Sequence, residues 1–125
     1  HPQYLLYLGR VNASDLPSIY SEVDIGLMTY SRWSTVSMPV KFYDYLAAGI
    51  AIISSLEREA KDIIESENIG IIYEPGNLDS LVRAINSYLG NSDGLSLARA
   101  NSAKVSGQFD SVLQHENFSI FLENV

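Results

Sequence analysis

The sequence predicts an α/β fold, a parallel sheet that is flanked by helices. Short apolar runs alternate with helical patterns along the chain, and no internal repeat or low-complexity linker interrupts the alternation. Strands that alternate with helices are joined by right-handed crossovers, which make the strands parallel. The length of 125 residues suffices for one buried core. We therefore assign residues 1–125 to one domain.

Apolar runs predict four strands, at residues 4–8, 24–28, 50–53 and 69–73. The first run is continuous and ends at Gly9, which is typical of a strand buried on both faces. Ser54 and Ser55 close the third run. In such sheets, ligands bind outside the carboxyl ends of the strands. The positions selected by this rule are residues 9–11, 29–30, 54–55 and 74–76.

Helical patterns occupy residues 15–23, 38–48, 58–65, 78–89, 92–106 and 110–122. Ser14, Asn77 and Asp110 precede three of these helices as expected N-caps. Pro39 suits the first turn of the second helix, where its missing N–H costs nothing, and Gly49 suits the end of that helix. The apolar stripes expected to face the core are Leu16, Ile19, Tyr20 and Val23 in the first helix and Leu78, Leu81, Val82, Ile85 and Leu89 in the fourth.

Charge and composition exclude several classes of function. The net charge of −7 provides no positive surface for a nucleic-acid backbone, so an anionic ligand must be held by a few local donors. The absence of cysteine excludes disulfides, zinc–thiolate sites and thiol nucleophiles, and it suits a cytoplasmic protein. No apolar run approaches the roughly 20 residues that span a bilayer. We expect neither a catalytic nor a metal-binding role for His1 or His115.

The predicted helix at residues 38–48 carries the densest polar pattern. Lys41, Asp44, Tyr45 and Ala48 follow the spacing i, i+3, i+4 and i+7, which places them on one stripe. A helix N-terminus favours an anion because its N–H groups are free and its dipole is positive there. A bound diphosphate would offset the cost of Lys41 in the first turn, and Asp44 would accept hydrogen bonds from ribose hydroxyls. From the spacing alone, an exposed surface pair of Lys41 and Asp44 remains the alternative.

Four stretches, in order, resemble the C-terminal domain of GT-B glycosyltransferases, especially the retaining group called family 4. They are YLGRV from Tyr7 with the LPSIY and VDIGL runs that follow, MPVKFYDYLAAGIAII from Met38, IGIIYEPGN from Ile69, and FDS from Phe109. The resemblance implies a Rossmann-like domain, cut short at its N-terminal end, that binds a nucleotide-diphosphate sugar as donor substrate.

The resemblance also implies which residues bind the donor, namely Gly9, Arg10, Val11, Ser37, Met38, Pro39, Lys41, Asp44 and Tyr45. The backbone of residues 9–11 would read the nucleobase, Lys41 would lie near the phosphates and Asp44 would bond the ribose. Many members of the family carry a glutamate that faces the donor sugar, eight positions before the ribose-binding acid. This sequence has Val36 there, so either Ser37 or the backbone of Met38 would take that role, or this subgroup binds the sugar differently.

The implied activity is glycosyl transfer, of the hexosyltransferase type, to a glycan or lipid-linked acceptor in surface polysaccharide synthesis. Catalytic residues and the acceptor site would belong to an N-terminal domain, so we assign no catalytic residue here and expect this chain alone to be inactive. We expect no metal and no cofactor. The expected setting is the cytoplasm, at the inner face of the membrane, with an exposed sheet edge that can pair two copies.

Other functions fit parts of the pattern. A nucleotide-sugar 2-epimerase shares the fold and would act without an acceptor, whereas a non-catalytic α/β interaction module would bind no nucleotide. A response-regulator-like domain needs acidic residues at the end of the first strand, where this chain has residues 9–11, GRV. Trp33, in the loop after the second strand, can either pack half-buried or stack on a sugar. The charged residues at 57–65 are typical of a solvated helix face.

Overall fold

A computed structural model of the protein describes the backbone of residues 12–124 and the side chains of residues 12 and 14–108. A 3-10 turn at Ala13–Asp15 precedes the regular elements. These are α1 (Leu16–Tyr20), β1 (Ile25–Met28), α2 (Val40–Ala47), β2 (Ala51–Ser54), α3 (Glu59–Ser66), β3 (Gly70–Ile72), α4 (Leu78–Leu89) and α5 (Ser92–Asn124). The predicted strand at residues 4–8 and the predicted site residues Gly9, Arg10 and Val11 lie outside the described residues.

The described strands form a parallel sheet in the order β1-β2-β3, which confirms the predicted α/β fold. The central strand β2 is buried along its whole length, as its apolar run requires when helices cover both faces. Gly70 of β3 is opposite Ile52 of β2. A Cβ atom at position 70 would clash with the Ile52 carbonyl oxygen, so glycine permits this close pairing of strands.

The core consists of two clusters, one on each face of the sheet. Alternation along β2 sends Ile52 to one cluster, with Phe42 and Leu46 of α2 and Ile64 of α3. Its neighbour in the strand, Ile53, belongs to the other. That second cluster also contains Ala51, Tyr73, Ala84, Tyr88 and Ala98. Helices therefore cover both faces, as the alternating pattern predicted.

Two helix starts differ from their predictions. The second helix begins at Val40 rather than Met38, and Pro39 is its N-cap, with φ −70° and ψ 153°. The reason is steric: a residue before proline is disfavoured in helical conformation, which excludes Met38 from the helix. Ser14 lies within the 3-10 turn and does not cap α1, which is short and contains no buried side chain.

The predicted core stripe of α4 is partly wrong. The helix and its Asn77 cap are confirmed, because the Asn77 side chain accepts a hydrogen bond from the Ser80 N–H at 3.0 Å. However, Leu78 and Leu89 are 71% and 69% exposed, and Val82 is also exposed. The residues that pack inward are Leu81, Ala84, Ile85 and Tyr88. The predicted and the observed stripes share Leu81 and Ile85. The observed stripe packs on the sheet, and it contains the small residue Ala84.

The last two predicted helices are one. The backbone is helical from Ser92 to Asn124, so Asp110 lies inside a helix and is not an N-cap. The continuous helix contains Gly107, and an interior glycine costs only about 1 kcal/mol relative to alanine. Val105 and Ala98 of the same helix lie in the two core clusters, and this packing offsets that cost.

Helix α5 closes the amino end of the sheet. The Arg99 guanidinium donates to the Gly49 carbonyl at 3.0 Å and pairs with Asp24 at 2.8 Å. The buried Ser102 hydroxyl donates to the Ile50 carbonyl at 2.8 Å. Because these contacts occupy the turns before β1 and β2, the carboxyl end of the sheet is the open one, where the candidate site lies.

Candidate functional site

The loops after the described strands meet at the carboxyl edge of the sheet, as predicted. The buried Ser55 hydroxyl accepts a hydrogen bond from the Tyr30 N–H at 2.7 Å and donates one to the Tyr30 carbonyl at 2.6 Å. Arg32 donates to the Pro75 carbonyl at 3.5 Å and lies 3.9 Å from the Glu74 carboxylate. These contacts fix the β1–α2 loop against the loops that follow β2 and β3.

Lys41 occupies the second position of α2 and extends toward the end of β1. Its ammonium lies 5.2 Å from the centre of the Tyr30 ring, a cation–π contact. It forms no ion pair with Asp44, so the alternative of a surface pair is wrong. The ion pairs among the described residues are Arg32–Glu74, Lys61–Glu65 and Arg99–Asp24.

Asp44 lies one helical turn below Lys41 and is exposed. Its carboxylate lines a pocket of about 470 Å³ between α1 and α2. The other lining residues are Leu16, Pro17, Tyr20, Ser21, Ala47 and Ala48. Mainly apolar walls with one or two polar groups are typical of small-molecule sites. Leu16 and Tyr20, which were predicted to face the core, line this pocket instead, and no side chain of α1 is buried.

Two tyrosines connect Asp44 to the sheet. The Tyr45 hydroxyl donates to the Leu27 carbonyl at 3.2 Å, and its ring contacts the Tyr20 ring edge-on, with centroids 5.7 Å apart. Burial raises the pKa of Tyr45, and the charges of Tyr20, Tyr30 and Asp44 raise it further. Burial and then Asp44 also raise the pKa of Tyr20. The Tyr45 hydroxyl is thus engaged by β1, and the residue fixes α2 against this strand.

The residues that precede α2 are mostly engaged in the fold. The Ser37 carbonyl accepts a hydrogen bond from the Ala60 N–H at 3.3 Å. Met38 packs against the core, and Pro39 is buried. Of these three predicted site residues, Ser37 retains a hydroxyl that forms no hydrogen bond among the described residues.

The N–H groups of Val40 and Lys41 form no hydrogen bond among the described residues, whereas the Phe42 N–H donates to the Pro39 carbonyl at 3.0 Å. The two free N–H groups point out of the N-terminus of α2, toward the same edge as Lys41.

Val36 and Trp33 lie in the β1–α2 loop. Val36 lines a second cavity, of about 220 Å³, together with Ser31, Arg32, Ser34, Ser55, Leu56, Glu57 and Arg58. Trp33 is 83% exposed, so the interpretation that it packs half-buried is wrong. The predicted solvated face at residues 57–65 is confirmed, because all its acidic side chains are exposed.

Sequence analysis gave no role to two residues that organise the site. The Tyr30 ring forms a cation–π contact with the ammonium of Lys41, and Ser55 fixes the loop that contains Tyr30. Both positions belong to the strand ends selected from the sequence, so the rule on strand ends indicated where they lie. Their pairing across 25 residues depends on the parallel register of β1 and β2, which the sequence alone does not specify.

Among the side chains that the structure describes, those of residue 12 and residues 14–108, no three from histidine, cysteine, aspartate or glutamate come together as a metal site would require. In the same part of the chain, no helix combines the length and apolarity needed to cross a membrane.

Comparisons with known proteins bear on the family and the fold. Residues 2–91 match the family model described as glycosyl transferases group 1. Among solved structures, the chain is similar to Anabaena Alr3699/HepE in complex with UDP, with a TM-score of 0.74 and 17% sequence identity. The match covers 90% of this chain and 30% of that chain, and at this identity it shows a shared fold. Curated proteins give no significant match to the sequence.

Proposed function

The chain belongs to the glycosyl transferases group 1, and on this premise we propose that it binds the nucleoside-diphosphate part of a sugar donor. The arrangement of α2 carries the proposal. This helix presents Lys41 at the open edge of the sheet and Asp44, one turn lower, in the wall of a pocket. The domain thereby offers a cationic group and a hydrogen-bond acceptor on one flank.

The diphosphate would bind at the N-terminus of α2. Free N–H groups and the positive end of the helix dipole favour an anion there, and the Lys41 ammonium adds a full charge at the end of β1. With a net charge of −7, the chain as a whole repels an anion, so these local donors must provide the attraction. They would also stabilise the negative charge that develops on the diphosphate as the glycosidic bond breaks.

The nucleoside would occupy the pocket between α1 and α2. Leu16, Pro17 and Tyr20 provide apolar surface for a flat base, and the Asp44 carboxylate can accept two hydrogen bonds from ribose hydroxyls. Asp44 lies about 4.5 Å below Lys41 along the helix axis, at 1.5 Å of rise per residue. This offset suits a ligand that places its ribose beside the helix and its phosphates at the helix start. The UDP bound to the Anabaena protein makes uridine the first base to test.

The proposal also includes the acceptor, the transferred sugar and the location of the reaction. The acceptor would be a glycan or a lipid-linked glycan in surface polysaccharide synthesis, the transferred unit a hexose, and the location the cytoplasmic face of a membrane. No residue of this chain is assigned to bond making or breaking, and no cofactor is invoked. An exposed edge of the sheet would be the place for association of two copies.

Calorimetric titration of the intact protein with UDP, ADP, GDP and CDP tests the donor site. We expect one of these nucleotides to bind, and Lys41→Ala and Asp44→Ala each to weaken its binding about ten- to a hundredfold, the range for a hydrogen bond to a charged group. Lys104→Ala and Asp62→Ala remove exposed charges elsewhere and serve as matched controls. Equal affinity in all variants would remove Lys41 and Asp44 from the site. No binding by the wild type would favour an interaction module.

A further inference from the structure

We infer that Ser55 is a positioning residue for the proposed donor site, although its side chain is buried. Its hydroxyl fixes the backbone of Tyr30, and the Tyr30 ring in turn places the Lys41 ammonium at the open edge of the sheet. That the ammonium then meets a diphosphate rests on the proposed function. The placement itself rests on the contacts of these side chains.

The Ser55 hydroxyl extends the pairing of two strands beyond their ends. β1 ends at Met28 and β2 at Ser54, and the Ser55 N–H still donates to the Met28 carbonyl at 3.1 Å. Tyr30 lies two residues beyond β1. There the Ser55 hydroxyl accepts from the Tyr30 N–H at 2.7 Å and donates to the Tyr30 carbonyl at 2.6 Å. A single buried side chain therefore fixes both backbone polar groups of one loop residue.

The same geometry excludes a direct bond from Ser55 to an anion. The residue is 1% exposed, and its hydroxyl proton is used in the bond to the Tyr30 carbonyl. A serine hydroxyl has one donor and two lone pairs, so no donor remains for a ligand. An anionic ligand needs donors. The effect of Ser55 on such a ligand therefore passes through Tyr30.

The Tyr30 ring transmits this constraint to Lys41. The ring packs against the core cluster that contains Met28 and Phe42, so a fixed backbone also fixes the ring. The Lys41 ammonium lies 5.2 Å from the ring centre and forms no ion pair with a described residue, so the ring is the contact that localises it. A lysine side chain loses conformational entropy when a ligand fixes it, and a ring that fixes it beforehand raises the affinity. The ammonium still presents N–H donors to a phosphate on its other side.

The neighbouring Ser54 provides an internal comparison. Its side chain is also buried, but its hydroxyl accepts from the Leu56 N–H at 3.1 Å, only two residues along the chain. That bond closes a local turn and does not involve the β1–α2 loop. Removal of either hydroxyl leaves a backbone N–H without its side-chain partner, so both substitutions should destabilise the fold to a similar extent. Only the loss of the Ser55 hydroxyl should change the position of Lys41.

Proton–carbon NMR of the lysine side chains in the intact protein tests the placement without a ligand. Protons that lie over an aromatic ring resonate upfield, so the ε-methylene signal of Lys41, assigned by its loss in Lys41→Arg, should lie upfield of that of free lysine. This shift should persist in Tyr30→Phe, which retains the ring, and in Ser54→Ala. It should decrease in Ser55→Ala and vanish in Tyr30→Leu. Ser55→Cys fills the same space with a weak hydrogen-bonding group, and it replaces Ser55→Ala if that variant does not fold.

Calorimetric titration with the nucleotide that binds the wild type, beginning with UDP, tests the consequence for the donor. Ser55→Ala should weaken binding about two- to fivefold, which corresponds to the range for an exposed cation–π contact. Ser54→Ala should bind as the wild type does. In a Lys41→Ala background, Ser55→Ala should cause no further loss, because the ammonium that Ser55 positions is then absent.

An unchanged Lys41 signal in Ser55→Ala would overturn the inference, whether or not a nucleotide binds. The inference is also overturned if Ser55→Ala binds the nucleotide as tightly as the wild type, or no more weakly than Ser54→Ala. The same holds if Ser55→Ala causes an equal loss with and without Lys41, because the serine would then support the loop in general. A Lys41 signal that depends on Ser55, in a protein that binds no nucleotide, would retain the positioning of the ammonium and overturn the proposed donor function.

Discussion

Gly26→Ala tests how β1 positions α2. Gly26 lies in β1, and a Cβ atom there would be 2.7–2.9 Å from three atoms of the Tyr45 ring, whereas ordinary contacts are 3.4–4 Å. The ring would have to move by about 0.7 Å or more, and overpacking of this kind costs about 1–3 kcal/mol. Alanine in a strand also restricts the unfolded chain, which offsets about 0.4–1 kcal/mol. We therefore expect a net loss of about 1–2 kcal/mol.

The sign of this effect should depend on Tyr45. In a Tyr45→Ala background the clash disappears, so Gly26→Ala should stabilise the protein by about 0.4–1 kcal/mol. In a Tyr45→Phe background the ring remains, and the substitution should still destabilise. Urea unfolding of the single and double variants gives these free energies as a double-mutant cycle. If Gly26→Ala has the same effect in all three backgrounds, the packing of Tyr45 on β1 does not determine the position of α2.

Two further predictions concern stability. Ser102→Ala should lower the free energy of unfolding by about 1–3 kcal/mol, because the buried Ile50 carbonyl loses its side-chain partner; a loss below about 0.5 kcal/mol in urea unfolding would mean that water replaces the hydroxyl. Burial raises the pKa of Tyr45 above 10.0, the value of an unperturbed tyrosine. Above pH 10 the unfolded state therefore releases a proton that the folded state retains. This contribution to the free energy of unfolding is present below pH 10 and declines as the pH rises above it. Melting temperatures at about pH 8 and pH 11 should therefore differ more for the wild type than for Tyr45→Phe; equal differences would contradict the assignment.

The sheet was predictable because its signals are local. Each strand is a run of four or five apolar residues, and their alternation with helices is enough to make the sheet parallel. The start of α2 was predictable in principle as well, since Met38 precedes a proline. Proline is tolerated in the first turn of a helix, but it disfavours helical conformation in the residue before it, and the second effect sets the start of α2.

The inward face of α4 was not predictable from hydropathy. Leu78, Val82 and Leu89 are more apolar than Ala84 and Tyr88, yet the latter two are buried. A small residue lets the helix approach the sheet, and Tyr88 packs in the same core cluster as Ala84. Which side packs is decided by the space between β2 and α5, and this space depends on residues distant in sequence.

The site shows the same division between local and tertiary information. The spacing of Lys41 and Asp44 placed both on one flank of a helix, and the rule on strand ends placed that helix start at the ligand-binding edge. The sequence could not show that Tyr30 meets Lys41, because this contact depends on how α2 packs beside β1.

The contact with Tyr30 is nevertheless compatible with a diphosphate bound at the start of α2. Such an anion would offset the unfavourable position of the Lys41 cation at the positive end of the helix dipole. An exposed cation–π contact is worth about 0.5–1 kcal/mol, whereas a hydrogen bond between charged groups is worth about 1.5–3 kcal/mol. Tyr30 can therefore hold the ammonium at the end of β1 without competing effectively with a diphosphate. The Tyr30 ring positions the Lys41 ammonium before the ligand binds. The Lys41 side chain therefore loses less conformational entropy on binding.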